Sequence, residues 1–471
     1  MDIPKRDTTK FKNRLDTIVN KGPAKRWIKR FKTGKKPQPS LAKLLEAFNR
    51  FAPNYFNFFT QGESEADRAK ELNSALNRLQ QQWELISRVC AQREIREFQE
   101  ALELADGKAK VLYDYYKGYK ATTLSPVTYF EKIFGITRSP FTPYPALISI
   151  PFQVFDNPNE WQALAHELGH YIYWNSAELK DYRQVQARLK DVVLKALNLP
   201  VENYEAFQKK SKLINIWTNW LEETFADICG ALLVGPLHVV SALRIADETA
   251  FAPAQLIRDD GEHPAPYLRP LIGLKTLVWV AEQAHNYSQS MQDLKDIIKL
   301  LEGHWTILQQ KAGAESSEIS GVKLSELEAS VGEVVQAILG NESGPWIKDV
   351  VNGQREFAGL GSLINFEKAW LDDLSHKRAE IEAALKYETE VRTVQVQEPL
   401  PDATEFEALV VHLKNDIDPE MLSEEANKKL RKALLELNLE GRGAYCRSEY
   451  VRDARYGDFG PFLVYADYYC R

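Results

Sequence analysis

Apolar residues recur at three- and four-residue spacing from residue 41 to about residue 119, as in Leu72, Leu76, Leu79, Trp83 and Ile86, with few Gly or Pro breaks. This period predicts a helical unit. The pattern changes over residues 136–155, where prolines bracket short runs of β-branched and aromatic residues, and residues 146–152, ALISIPF, read as a strand. A helix is expected next, with Asn157 as cap, Pro158 at its first position and Glu160 three residues after the cap, running through Trp174. A polar insertion, residues 176–212, is broken at Leu199-Pro200, and a second helix is expected over residues 215–234, ended by Gly235-Pro236. Beyond a turn-rich loop at 258–266, helical periodicity returns to about residue 384, interrupted near 340–344 and 353–361.

The expected fold class is therefore α+β and predominantly α-helical. The segments are a basic N-terminal arm and linker (1–40), a helical N-terminal unit (41–125), a core (126–275), a helical C-terminal unit (276–392), and a connector with an aromatic C-terminal segment (393–471). Composition adds compartment and charge. The chain of 471 residues is too long for one hydrophobic core and has an ordinary globular composition. It carries neither a secretory-signal pattern at its start nor a run of about 18–20 apolar residues, so no membrane span and a cytoplasmic location are expected. Four cysteines without CxxC spacing read as free thiols, and Cys446 and Cys470, both in the aromatic tail, leave pairing open. Net charge is −6, yet residues 1–36 hold 13 Lys or Arg against three Asp. Such an arm either docks on the acidic body or contacts nucleic acid or another anionic surface, with Trp27 and Phe31 offered for stacking.

The chemistry concentrates in His166-Glu167-Leu168-Gly169-His170, an HExxH motif. Residues four apart share a helix face, so both imidazoles can reach one zinc ion while Glu167, beside them, takes a proton from the water that the metal activates. A third ligand is needed, and one position must stay open for water. The segment Glu222-Glu223-Thr224-Phe225-Ala226-Asp227 offers it: Glu223 and Asp227 share a face, so one can bind metal while the other accepts a hydrogen bond from an imidazole, and Glu222 points about 100° away. The remaining histidines His238, His285, His304, His376 and His412 are assigned no chemistry, and Cys229 reads as a packed thiol.

HELGH followed by E-x-x-A-D resembles the gluzincin zinc metallopeptidases, and the run from Glu223 to Gly235 resembles the second metal helix of CAAX-prenyl-protease-like peptidases and their soluble bacterial relatives. The resemblance covers about residues 144–271. It implies Glu223 as third zinc ligand, Asp227 as partner of a ligand imidazole, a zincin-like core, and an edge strand at 146–152 that pairs with a protein or peptide substrate. It further implies that His263 and Arg269, spaced as HPxxxxR, contact the charge developing on the scissile carbonyl, with Arg269 alternatively paired to an acidic neighbour and Tyr267 as a lesser donor. The expected activity is peptide-bond hydrolysis. Two other readings stand beside it: a zinc-containing regulatory or nucleic-acid-binding protein using the basic arm, and a zinc hydrolase acting on a non-peptide amide.

Overall fold

The structure, a computed structural model, describes residues 24–59, 65–116, 124–137, 144–155, 158–175, 204–248, 253–283, 288–313, 317–340 and 359–395. Asn13, Asp16, Thr17, Leu197 and the strand pair 347–348 and 356–357 are described besides. The chain divides into two compact units, Met1–Glu382 and Ala383–Arg471. The second is described only over residues 383–395, which are helical, so the expected aromatic tail with Cys446 and Cys470 lies outside the described residues. The protein is predominantly helical with a few short strands, and among the described residues no helix is long and apolar enough to cross a membrane.

The N-terminal part is built from α1 (Ala24–Thr33), α2 (Pro39–Phe59), α3 (Glu65–Gln92) and α4 (Arg96–Asp114). In α1 the spacing of Ala24, Trp27 and Phe31 makes one apolar face, and all three are buried in a cluster with Leu44, Leu45 and Phe48 of α2. Four described basic residues of the arm meet carboxylates: Arg26 and Arg30 lie on Glu94, Lys32 on Glu46 and Lys36 on Glu103. Burying a large apolar side chain contributes about 1.5–3 kcal/mol, whereas a solvated ion pair contributes about 0–1 kcal/mol. The aromatic pair therefore does most of the holding. Trp27 and Phe31, offered by the sequence for stacking on bases, are instead part of this core.

Behind α1 lies Arg93, fully buried. Its guanidinium donates to both carboxylate oxygens of Asp106 on α4, at 2.8 and 3.0 Å, and to the carbonyl of Thr128 at 2.7 Å. Arg30 of α1 donates to the Arg93 carbonyl at 2.8 Å, so one residue ties together α1, α3, α4 and the sheet.

The sheet has three strands, β1 (Val127–Phe130), β2 (Gly135–Thr137) and β3 (Leu147–Ile150), in the order β1-β3-β2. β3 is parallel to β1 and antiparallel to β2. This corrects one expectation: the 146–152 segment is the central strand, not an edge. Its side chains are buried throughout, and Ser149 turns its hydroxyl to the carbonyls of Ile133 and Gly135, tying the incoming β2 turn to it. β1 lies against α3 and α4, and half-exposed β2 forms the other edge, next to the helix that follows.

That helix is α5 (Ala163–Asn175), preceded by a 3-10 turn, Pro158–Gln162, so regular α-helix begins later than the capping pattern predicts. Asn157 lies outside the described residues, and Glu160 pairs with Arg244 at 3.5 Å. The helix expected over 215–234 is two helices, α6 (Tyr204–Asn219) and α7 (Leu221–Val234), separated at buried Trp220, whose ring stands edge-on to Trp217. α8 (Pro236–Glu248), α9 (Leu268–Gln283), α10 (Ser288–Ala312), α11 (Leu324–Leu339) and α12 (Leu374–Gln395) follow, with α8, α9 and α11 packed on α7 or on one another.

α5 and α7 cross closely because Gly169 faces α7. A Cβ on Gly169 would lie 2.7 Å from the Ala226 Cα. This contact brings the two halves of the motif together.

Candidate metal centre

His166 and His170 sit one turn apart on α5, and Glu223 sits in the first turn of α7. The His166 and His170 Nε2 atoms are 3.1 Å apart, His166 Nε2 is 3.3 Å from Glu223 Oε2, and His170 Nε2 is 3.3 Å from Glu223 Oε1. Ligands about 2.0–2.1 Å from a tetrahedral centre lie about 3.3 Å from each other. The three residues thus have the spacing of three corners of such a site, and among the described residues they are the one His/Cys/Asp/Glu group whose ligand atoms converge, all within 4.8 Å.

The other ring nitrogens are held. His166 Nδ1 lies 2.9 Å from Asp227 Oδ1, and His170 Nδ1 lies 3.1 Å from Glu222 Oε1. A carboxylate at Nδ1 fixes the proton there, which turns both Nε2 lone pairs to the shared centre. There they meet a third acceptor, the Glu223 carboxylate. Three acceptors facing one another repel unless a cation or a proton lies between them, so the donor set fits a zinc ion. A proton competes for the same place: burial opposes charging His166, but its hydrogen bonds to Asp227 and Glu223 prevail and raise its pKa to about 9. On Glu223 burial likewise opposes ionisation, and hydrogen bonds from His166 and His263 outweigh it and hold the carboxyl below its usual range.

Glu167 is buried beside both histidines. Burial pushes its pKa up, and the nearby histidines pull it back only in part. A carboxylate whose proton affinity is raised in this way is suited to accept and return a proton near neutral pH.

Asp227 is almost fully buried, and its orientation is fixed twice over. Arg269 donates from Nε to Oδ2 at 2.8 Å and from Nη2 to Oδ1 at 2.7 Å. These contacts and His166 overcome the burial penalty and hold Asp227 well below the usual carboxylate range. Of the two roles expected for Arg269, the structure places it in the second, paired to an acidic neighbour. His263 is brought to the centre as well, but both of its nitrogens face carboxylates: Nδ1 lies 2.9 Å from Asp260 Oδ2 and Nε2 lies 3.3 Å from Glu223 Oε1. The donors expected to serve a developing oxyanion are thus directed at the carboxylates of the centre. Tyr267 is fully buried with Glu328 as its ionisable neighbour.

Three residues of the centre escape the sequence pattern. Glu222, read there as a lesser ligand, instead orients His170. His238 is buried, with its ring nearly parallel to His166 at 6.4 Å between centroids and its Nε2 3.6 Å from Asp227 Oδ1. Burial lowers its pKa and favours the neutral ring. Gly230 makes room for it, since a Cβ there would meet the imidazole at 2.4 Å. Asp260 holds His263, and its only trace in the sequence is the Asp-Asp-Gly turn signal. Cys229 is a buried free thiol, as its apolar surroundings require. Comparison with known protein families, curated proteins and solved structures finds no match to this chain.

Proposed function

We propose that the protein is a zinc-dependent metallopeptidase with a zincin-like core, in which His166, His170 and Glu223 hold the metal and Glu167 is the general base. The observation that carries this reading is the convergence of the two Nε2 atoms, 3.1 Å apart, on the Glu223 carboxylate, one facing each of its oxygens at 3.3 Å, with Glu167 buried beside them. A metal site serving structure alone has no use for a carboxylate of raised proton affinity beside an open position, whereas hydrolysis does. Zinc bound there supplies Lewis acidity, polarising a carbonyl oxygen and lowering the pKa of water toward about 7.

The chain's own residues supply the rest. Glu167 accepts the proton of the attacking water and returns it to the leaving amine nitrogen. Asp227 and Glu222 keep the two imidazoles in the tautomer that leaves Nε2 free for metal, and Arg269 keeps Asp227 in place. β2, rather than the central 147–150 strand, is the sheet edge next to α5 and offers backbone N–H and C=O groups to an extended peptide.

The test uses purified wild-type and Glu167→Gln protein. Both should carry one zinc per chain, and only the wild type should generate new N-termini in a proteome extract, an activity removed by a zinc chelator and restored by zinc. Wild-type protein without zinc, or equal cleavage by both proteins, would overturn the reading.

A further inference from the structure

His263 is reached by a loop that is bonded to itself although it lies at the surface. Asp259 Oδ1 accepts from the Gly261 N–H at 2.9 Å, and Asp260 Oδ1 accepts from the N–H groups of Glu262 and His263 at 3.0 and 2.8 Å. Gly261 has φ 82°, where a side chain would be strained. The loop is pinned from outside by the turn between strands Glu318–Ile319 and Val322–Lys323, where Ser320 donates its hydroxyl to Asp259 Oδ2 at 2.9 Å. Ser320 itself has φ 50°, the one non-glycine residue with positive φ among the described residues. A left-handed serine persists where surrounding contacts over-determine it.

What this scaffold delivers is one contact at the centre. The His263 ring spans Asp260 and Glu223, with a carboxylate oxygen at each nitrogen. Its position between the two carboxylates sets it beside the metal ligands as a partner of Glu223, and it is not one of the three converging ligand residues His166, His170 and Glu223. It engages Oε1 of Glu223, the oxygen that also lies 3.3 Å from His170 Nε2, while Oε2 faces His166 Nε2.

We propose that His263 is a positioning residue for the third metal ligand: presented by the 258–264 loop and the Ser320 turn, it holds the Glu223 carboxylate at Oε1 and so fixes the orientation in which that carboxylate faces His166 and His170. This rests on the metal-site reading above. Outer partners of this kind typically change metal affinity about 10–100-fold.

The test is chelator-competition zinc affinity together with the visible spectrum of the cobalt(II)-substituted protein, for wild type, His263→Ala, His263→Gln and Asp260→Asn. His263→Ala should weaken zinc binding by about 10–100-fold and shift the cobalt bands, with the helical circular dichroism of the metal-free protein retained. His263→Gln, which can still donate to Glu223, should recover most of the affinity, and Asp260→Asn should fall between. Wild-type affinity and an unshifted cobalt spectrum in His263→Ala overturn the inference alone. A wild-type protein that takes up neither metal overturns the metal-site reading and this inference with it.

Discussion

At the scale of single residues, the centre is a set of imidazoles whose outward nitrogens each end on a carboxylate. Asp227 is the most constrained of these, since Arg269 occupies both of its oxygens and His166 shares one. Asp227→Asn keeps the shape but replaces one acceptor oxygen by an amide that donates, which opposes the Nδ1–H tautomer of His166. The expected result is a zinc affinity lowered by about 10–100-fold, with stoichiometry restored at excess zinc, checked by titration against a chromophoric chelator. The grouping of His166 with His170 was legible because helical geometry alone sets residues four apart on one face, and the same holds for the Glu223 and Asp227 pair. Glu222 was not legible in its role. Which carboxylate reaches which ring nitrogen depends on the angle and depth of the α5–α7 crossing, and neither helix encodes that by itself. His238 and Asp260 come from other elements altogether and leave no spacing signal relative to the motif.

At the scale of elements, the crossing depends on an absence of side-chain volume. Gly169 lies between the two histidines and against Ala226 and Cys229, with a hypothetical Cβ 2.7 and 2.9 Å from atoms of those residues. Gly169→Val must push α7 away from α5, and with it Glu223. Overpacking of this kind costs about 1–3 kcal/mol, so thermal unfolding should fall by several degrees and zinc affinity should fall with it. A Gly169→Val protein with wild-type melting and wild-type zinc affinity would show that the helices tolerate a wider spacing. Helix existence was legible from periodicity, but boundaries were not. The break at Trp220 has no glycine or proline to mark it, and helical hydrogen bonds run on across it, from the Trp220 N–H to the Ile216 carbonyl and from the Thr224 N–H to the Trp220 carbonyl. The 147–150 strand was legible as a strand, yet its neighbours were not, since pairing on both sides follows from how β1 and β2 fold back on it.

At the scale of the whole molecule, proton uptake at the centre links metal, pH and stability. His166 has its pKa raised from 6.5 to about 9 in the metal-free protein, and His263 is raised to about 9 chiefly by its hydrogen bond to Glu223. A raised pKa means that the folded state binds the proton more tightly than the unfolded state. The stabilisation is therefore full below about pH 6.5 and is lost as pH rises through about 9. On the proposed assignment of His166 as a ligand, zinc must displace its proton, so zinc affinity should increase with pH over the same interval while the melting temperature of the metal-free protein decreases. Parallel chelator titrations and melts from pH 6 to 9 check both signs. Opposite slopes identify the shared proton site; a metal-free melting temperature that does not change with pH would exclude it.

The Arg93 tie gives the N-terminal arm a different standing from the one its charge suggests. Arg30, Asp106 and the Thr128 carbonyl all converge on a residue without solvent access, and removing one partner of such a buried ion pair costs about 3–5 kcal/mol. α1 is then part of the same cooperative unit as α4 and β1 and does not open on its own. Amide hydrogen exchange would express this directly: the amides inside α1 should exchange at rates close to those of α4, far slower than a solvated basic tail, and Trp27→Ala, which empties the buried face of α1, should release α1 to fast exchange. Fast exchange of α1 in the unaltered protein would mean that the arm detaches independently. The exposed lysines of α1, Lys25 and Lys29, one turn apart, are accordingly spaced by a fixed backbone, and any anionic surface that meets them meets a pattern rather than a cloud of charge.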